Sequence, residues 1–206
     1  MRTIRNILAL FGLLTLLGGG YAVYKSAPIL GQLRPAMVKF YFSDAELDLD
    51  FAKVYIDFAE KLLESQDPGM ALTWRVPVKD GIGVEEVKES LKSIAAEHNF
   101  LFAGESPFYK QVEGITGKPY RHISFLSFCN AQTGKMMADY RDTYTGLMPC
   151  RIAVVEDKQS KLWLYSMNPD LMIHGGAKLP DDIKKSAMHA RHAIRAMMEG
   201  AAAGDF

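Results

Sequence analysis

The chain has 206 residues, and its 24 lysines and arginines balance 24 aspartates and glutamates; that length suits one or two domains, and the zero net charge gives no case for nucleic acid. Its 49% hydrophobic and 23% charged residues are ordinary globular values, which excludes disordered, collagen-like and low-complexity chains. Two cysteines are too few for a disulfide-framework miniprotein or for a zinc site built from cysteine alone.

The N-terminus departs from this average. Arg2, Arg5 and Lys25 are its basic residues and it has no acid up to that point, which leaves the body slightly acidic. From Ile7 to Tyr24 there is no charge at all. A helix of that length reaches ~27 Å at ~1.5 Å per residue, close to the ~30 Å hydrocarbon core of a bilayer. Arg2 and Arg5 precede it, so the positive-inside rule keeps the N-terminus in the cytoplasm and carries the rest across. Tyr21 and Tyr24 stand where an interfacial aromatic belt would lie. A cleaved signal peptide is the competing reading, but the run exceeds a usual signal core and no clean small-x-small site precedes Lys25. The sequence therefore predicts an uncleaved single-pass anchor over residues 1–25, contacting the membrane through residues 7–24. It would sit in the inner (cytoplasmic) membrane with the main domain in the periplasm, or outside the cytoplasm generally, where disulfides persist. Gly12, Gly18 and Gly19 lack the small-xxx-small spacing, so no helix dimer is predicted from them.

Residues 26–71 read as a juxtamembrane linker, marked by Pro28, Gly31 and Pro35, and then an amphipathic helix. Phe51, Val54, Tyr55, Phe58 and Leu62 recur at helical spacing, with Ser43 or Asp44 as the N-cap. Asp44, Glu46, Asp48 and Asp50 lack the glycine and terminal glutamate of a calcium loop, and are expected to be solvated carboxylates that complement the helix dipole. "MALTWRVPV" is a predicted strand, and "GVEEVKESLKSIAAEHN" a helix with Val84, Val87, Leu91 and Ile94 on one face. "NFLFAGE" is a short strand and "SPFYKQVEGITGKPY" a helical turn inside a loop. "RHISFLSFCN" is a strand, followed by the helix "AQTGKMMADYRDTY" opening near Asn130. "CRIAVVEDKQSKLWLYSMN" is the clearest hairpin, turned at "EDKQSK". "PDLMIHGG" is a helical turn closed by two glycines. "LPDDIKKSAMHARHAIRAMMEG" is a helix with Pro180 near its start and Gly200 behind it. The pattern is α+β, a mainly antiparallel sheet with helices on one face.

The stretches "FCNA", "MPCRIAVVED" and "MNPD", with the terminal "GAAAGDF", resemble the DUF302 family, a domain of unknown function. Its pattern has a strand ending near "FGNP", then "LP" leading into a strand ending "WED", then a partner strand ending "DP". The resemblance covers residues 72–206. It implies a TATA-binding-protein-like two-layer domain that often dimerises and has no established catalytic site to carry over. Cysteine stands at Cys129 where the pattern has glycine, which suggests a two-cysteine, membrane-anchored branch.

Cys129 ends one predicted strand and Cys150 begins the next. The meander of the resembled fold would bring both to the same end of the sheet, and paired strand ends can provide the ~4.4–6.8 Å Cα separation that a disulfide needs. A structural disulfide, two unpaired buried thiols, and a redox or metal-ligating pair all remain open; the long separation is unlike a CxxC motif. Asn130 and Arg151, beside these cysteines, join them as ligand or redox candidates. Most of the 11 methionines lie from Met136 onward. Cys129, Cys150, His174 and Met172 therefore form a candidate set for a soft metal such as copper(I), or for non-covalent haem. Core filling is the plainer role for methionine, and no CxxCH motif for c-type haem occurs. His174, followed by two glycines, is either a pocket histidine or a helix C-cap. His189 and His192 turn away from the stripe of Ile183, Ala187, Ala190, Ile194 and Met197, and read as a solvated basic face. His122 and Ser124 point the same way on a strand, but neighbours two apart rarely make a nucleophile–base pair. With no catalytic fingerprint present, no catalytic residue is predicted. Phe206 is expected to pack back onto the domain or a neighbouring subunit. The functional expectation is a membrane-anchored, non-catalytic module that binds a small ligand, or docks on a second copy or on a membrane or periplasmic partner. The runner-up is a redox, soft-metal or haem-binding protein using Cys129, Cys150 and His174.

Overall fold

A computed structural model describes residues 46–205 without a break, and before them residues 15, 18–21, 23–25, 27, 28, 31, 34, 35 and 38. The chain divides into two units, residues 1–45 and residues 46–206. The described residues of the first unit are helical, Pro28, Gly31 and Pro35 included, where the sequence predicts a linker. Among the described residues no helix is long and apolar enough to cross a membrane. Much of the run from Ile7 to Tyr24, the proposed caps Ser43 and Asp44, and Phe206 lie outside the described residues.

The second unit opens with α1 (Phe51–Ser65), which buries Val54 and stops where Gln66 turns left-handed at φ 54°. A short α2 (Pro68–Leu72) follows, because Asp67 accepts the Gly69 N–H at 2.8 Å and Pro68 is preset for a first helical turn. That cap overrides the strand predicted from Met70, so β1 begins only at Thr73 (Thr73–Pro77). Next come α3 (Val84–Glu97) and β2 (Leu101–Ser106). The predicted single turn at "SPFYK" is instead a full helix, α4 (Phe108–Thr116), ended by Gly117 at φ 66°. Then follow β3 (Ile123–Cys129), α5 (Ala131–Tyr140) and a 3-10 turn at Asp142–Leu147. A cis Met148–Pro149 bond leads into β4 (Cys150–Glu156). The hairpin to β5 (Leu162–Met167) forms as predicted. Its turn is held by Asp157, which accepts from the N–H groups of Gln159 and Lys161 and from the Trp163 indole. The chain closes with α6 (Asp170–His174) and α7 (Asp181–Ala203).

The five strands form one sheet in the order β1-β5-β4-β3-β2, and all neighbours are antiparallel. Alternation decides its inner face: Leu126 and Phe128 of β3, Ile152 and Val154 of β4 and Leu164 of β5 are fully buried. They pack against Val87 and Leu91 of α3 and Met197 and Met198 of α7. This is the α+β architecture expected, with a mainly antiparallel sheet. The short α4 departs from the one-sided arrangement: its Phe108 ring meets Phe125 at 5.9 Å, on the pleat opposite Leu126.

α7 runs past Gly200 to Ala203, three residues beyond the predicted end, and is capped by Gly204 at φ 82°. Gly200 is there for close approach, because a Cβ at that position would lie 2.5 Å from Ile94 Cδ1. Gly200→Val should therefore destabilise the domain by about 1–3 kcal/mol through overpacking. Urea unfolding checks this; an unchanged midpoint would show that Ile94 simply swings aside.

Candidate functional site

The register sets Cys150 opposite Phe128, and Cys129 opposite Leu101. The cysteines thus lie at the same end of the sheet, as expected. Directly opposed residues share a face of the pleat, so Cys129 falls one position out of step with Cys150. Both are free thiols, so of the readings left open by the sequence the disulfide is not formed. Burial pushes the Cys150 thiol up to about 11, with the neighbouring Cys129 adding to the effect. A group held protonated at neutral pH is a poor nucleophile. We therefore expect two thiols on titration of denatured, non-reduced protein. In the folded protein at pH 8, Cys150 should alkylate about 100-fold more slowly than an ordinary cysteine. Finding no free thiol would restore the disulfide.

A small cavity of about 60 Å³ opens where β3 ends and β4 begins. Its floor is Phe128, and its room comes from small residues on the covering helices: Gly134 on α5, Ala187 and Ala190 on α7. The lining is almost wholly apolar and rich in sulfur, from Met137, Met148 and Met172 as well as the two cysteines. A Cβ added at Gly134 would lie 3.6 Å from Met148 Sδ and 3.8 Å from Cys129 Sγ. An adjoining space of about 270 Å³ shares Met148, Cys150 and Met172 and adds the polar groups Arg151, Ser166 and Arg191. Arg191 is held by Asp170, whose hydrogen bond raises it above the usual guanidinium range. The exposed Arg151 guanidinium lies 5.9 Å from the Phe125 ring centroid. Asn130 has a structural duty: its Oδ1 accepts the Thr133 N–H at 2.9 Å as the α5 cap, and its Nδ2 donates to Asn99 O at 3.1 Å.

Of the six residues predicted from sequence, Cys129, Cys150, Asn130 and Met172 line the apolar cavity and Arg151 the adjoining one. His174 lines neither. It is buried against Asp48, with Nδ1 2.8 Å from Asp48 Oδ1 and 3.7 Å from Asp50 Oδ2. Lys184 Nζ donates to the other oxygen, Asp48 Oδ2. Asp48, expected to be solvated, has a side chain with no exposure at all. Burial alone would raise its carboxyl, but the hydrogen bonds from Lys184 and His174 outweigh that and hold it at about 2. Asp48, Asp50 and His174 offer ligand atoms within 4.8 Å of one another, yet the Lys184 ammonium already supplies the positive charge that a metal ion would bring. The sequence carries no local sign of this cluster, since His174 and Lys184 lie 126 and 136 residues from Asp48.

His122 Nε2 does reach Ser124 Oγ, at 3.0 Å, although two-apart strand neighbours were discounted as a pair. Burial, then the nearby Lys88 charge, lower the His122 pKa. Ser124 is fully buried beneath it, so no substrate carbonyl could reach the hydroxyl. Lys88 bridges Glu105 at 2.8 Å and Glu85 at 3.0 Å. This group is an internal polar brace joining α3, β2 and β3. His189 and His192 are exposed on α7, as predicted.

The family model described as "Domain of unknown function DUF302" matches residues 74–201. No curated protein matches the chain. Among solved structures, it is similar to the crystal structure of an uncharacterized conserved DUF302 protein from Bacillus stearothermophilus. The two share 14% identity at a TM-score of 0.51, over 62% of this chain and 96% of that one. At that identity the likeness shows the fold alone.

Proposed function

This chain belongs to the DUF302 family, and from that premise we propose that it is a non-catalytic binding module, holding a small, largely apolar ligand with an acidic end. The observation that carries the reading is the apolar cavity under α5 and α7, which shares Met148, Cys150 and Met172 with a space that Arg151 borders. An apolar lining with few polar groups is how small-molecule sites are built, and most of the room for a ligand lies in the adjoining space of about 270 Å³. The apolar body of the ligand would lie against Phe128 and the methionines. Its anionic group would meet Arg151, since Arg191 is already engaged by Asp170.

The test uses 1-anilinonaphthalene-8-sulfonate, which has aromatic rings and one anionic group. The folded protein should give saturable, blue-shifted fluorescence. Gly134→Leu, which fills the cavity, should weaken binding at least ~10-fold without lowering the melting temperature. Arg151→Glu should weaken it by about 10-fold. Non-saturating fluorescence, or affinity indifferent to Gly134→Leu, would overturn the reading.

The charge-free run over residues 7–24, behind Arg2 and Arg5, supports an inner-membrane anchor with the domain outside the cytoplasm. The protein should then resist carbonate extraction, and a reporter active only outside the cytoplasm should be active when fused after Phe206. Recovery in the soluble fraction would count against the anchor.

A second reading is favoured by the approach of the Met148 and Cys129 sulfurs to Gly134, with Cys150 beside them. Two thiolates and a thioether suit copper(I). His174 takes no part, because its imidazole is bound to Asp48 away from this cavity; it offers no axial ligand for haem there. Copper(I) titration against a chromogenic chelator should then show one equivalent, lost in Cys150→Ser.

A further inference from the structure

α1 presents two apolar faces, and the domain uses only one of them. Val54 is buried, and Phe51, Phe58 and Leu62 are half-buried beside it. On the other side Ile56 and Leu63 are 56% and 77% exposed. They are seven residues apart, with exposed Ala59 between them and exposed Ala52 one turn before Ile56. This is a heptad seam, with large aliphatic residues at one position and alanine at the other.

We propose that this seam is an interface between two copies of the chain, packed as antiparallel α1 helices about a two-fold axis. The register follows from size and charge together. When Ile56 faces Ala59 of the second copy, Leu63 faces Ala52 of that copy. Each bulky side chain then meets a small one, and the helices can approach closely. The same register brings Lys53 opposite Glu60 of the second copy on one flank, and Glu60 opposite Lys53 of that copy by symmetry. On the other flank it brings Tyr55 against Leu62 of the second copy. Such an interface is isologous and closed. A parallel arrangement would stack Ile56 on Ile56 and leave Lys53 without Glu60. Within one copy, Lys53 already leans along the helix onto Asp57, so it need only swing sideways to reach the second copy. A bilayer suits the stripe less well. Asp50, Asp57, Glu60 and Glu64 outnumber Lys53 and Lys61 on this segment, and anionic lipid would repel it. The seam lies outside residues 74–201, the stretch matched to the family, and the inference does not rest on the ligand-binding reading.

The test is sedimentation equilibrium of the full chain in detergent. Wild type should show a concentration-dependent monomer–dimer equilibrium. Ile56→Glu should weaken the dimer at least ~100-fold, because it sets two charges into the seam. Lys53→Glu should weaken it by roughly 10-fold by opposing like charges, and the double variant K53E/E60K should restore wild-type affinity, since it exchanges both ends of each pair. All three positions are exposed, so thermal melts should match wild type. A monomer at every concentration, a dimer indifferent to Ile56→Glu, or failure of the double variant to restore affinity would each overturn the proposal. Loss of vesicle binding in Ile56→Glu with no change in oligomeric state would assign the stripe to the membrane instead.

Discussion

Asp48→Ala should destabilise the domain by about 3 kcal/mol, read as a fall in melting temperature of about 10 °C. Its carboxylate is fully buried between two cationic or hydrogen-bonding partners, His174 on α6 and Lys184 on α7. Removing the anion strands both in a poorly solvated place, and breaking a buried pair typically costs ~3–5 kcal/mol. The lower end applies because Lys184 keeps 28% of its side chain exposed and can reach water. The same carboxylate anchors the start of α1, since its Oδ1 accepts the Asp50 N–H at 3.1 Å. It sits beside a backbone bridge in which Asp48 N–H donates to Gly176 O and Lys178 N–H to Glu46 O, while Leu47 pairs with Ala177. The substitution should therefore loosen α1 as well, and increase proteolysis near Asp50. The pH dependence has a definite sign. The folded pKa of about 2 lies below the ordinary 3.8, so Asp48 contributes fully above about pH 4 and its contribution is lost as pH falls towards 2. Wild type and Asp48→Ala should converge in stability at the acid end. A constant gap down to pH 2 would show that shape, not charge, does the work.

Phe128→Ala should cost about 3–5 kcal/mol, the usual range for emptying a buried aromatic site. Phe128 is fully buried at the heart of the inner face, and its ring sits 5.8 Å from that of Phe102 on β2. It is also the floor of the apolar cavity, so the variant tests packing and binding together. Urea unfolding should show the loss, and Phe128→Leu should recover most of it. The alanine variant should still bind the fluorescent probe while folded, because the cavity is enlarged, not filled. If it bound no probe at temperatures where circular dichroism shows it native, the cavity would not be the binding site.

Much of the fold was legible because its cues are local. The hairpin at Asp157, the Asn130 cap and the apolar faces of α3 and α7 each follow from residues within a turn or two of one another. The readings that failed were those where a nearby cap or a distant neighbour overruled a run of residues. Asp67 and Pro68 turned Met70 into helix, and close packing against Ile94, not a helix end, is what calls for a glycine at Gly200 within α7. The candidate site divides in the same way. That the cysteines share one end of the sheet follows from strand order, whereas the one-position offset that keeps them out of step depends on the β3–β4 register.

By itself, then, the sequence determined the α+β class, the sheet-forming segments and the sulfur-rich character of the C-terminal half, since periodicity and composition report which surfaces must be buried. It could not determine which charges are buried. Asp48 looks like any acid at a helix start, and only long-range packing brings His174 and Lys184 around it. Nor could it determine that His174 stands apart from the cysteines while Gly134, Ala187 and Ala190 open a cavity beside them. A cavity is where three elements fail to meet, and that is decided by their mutual distance, a quantity no single segment encodes.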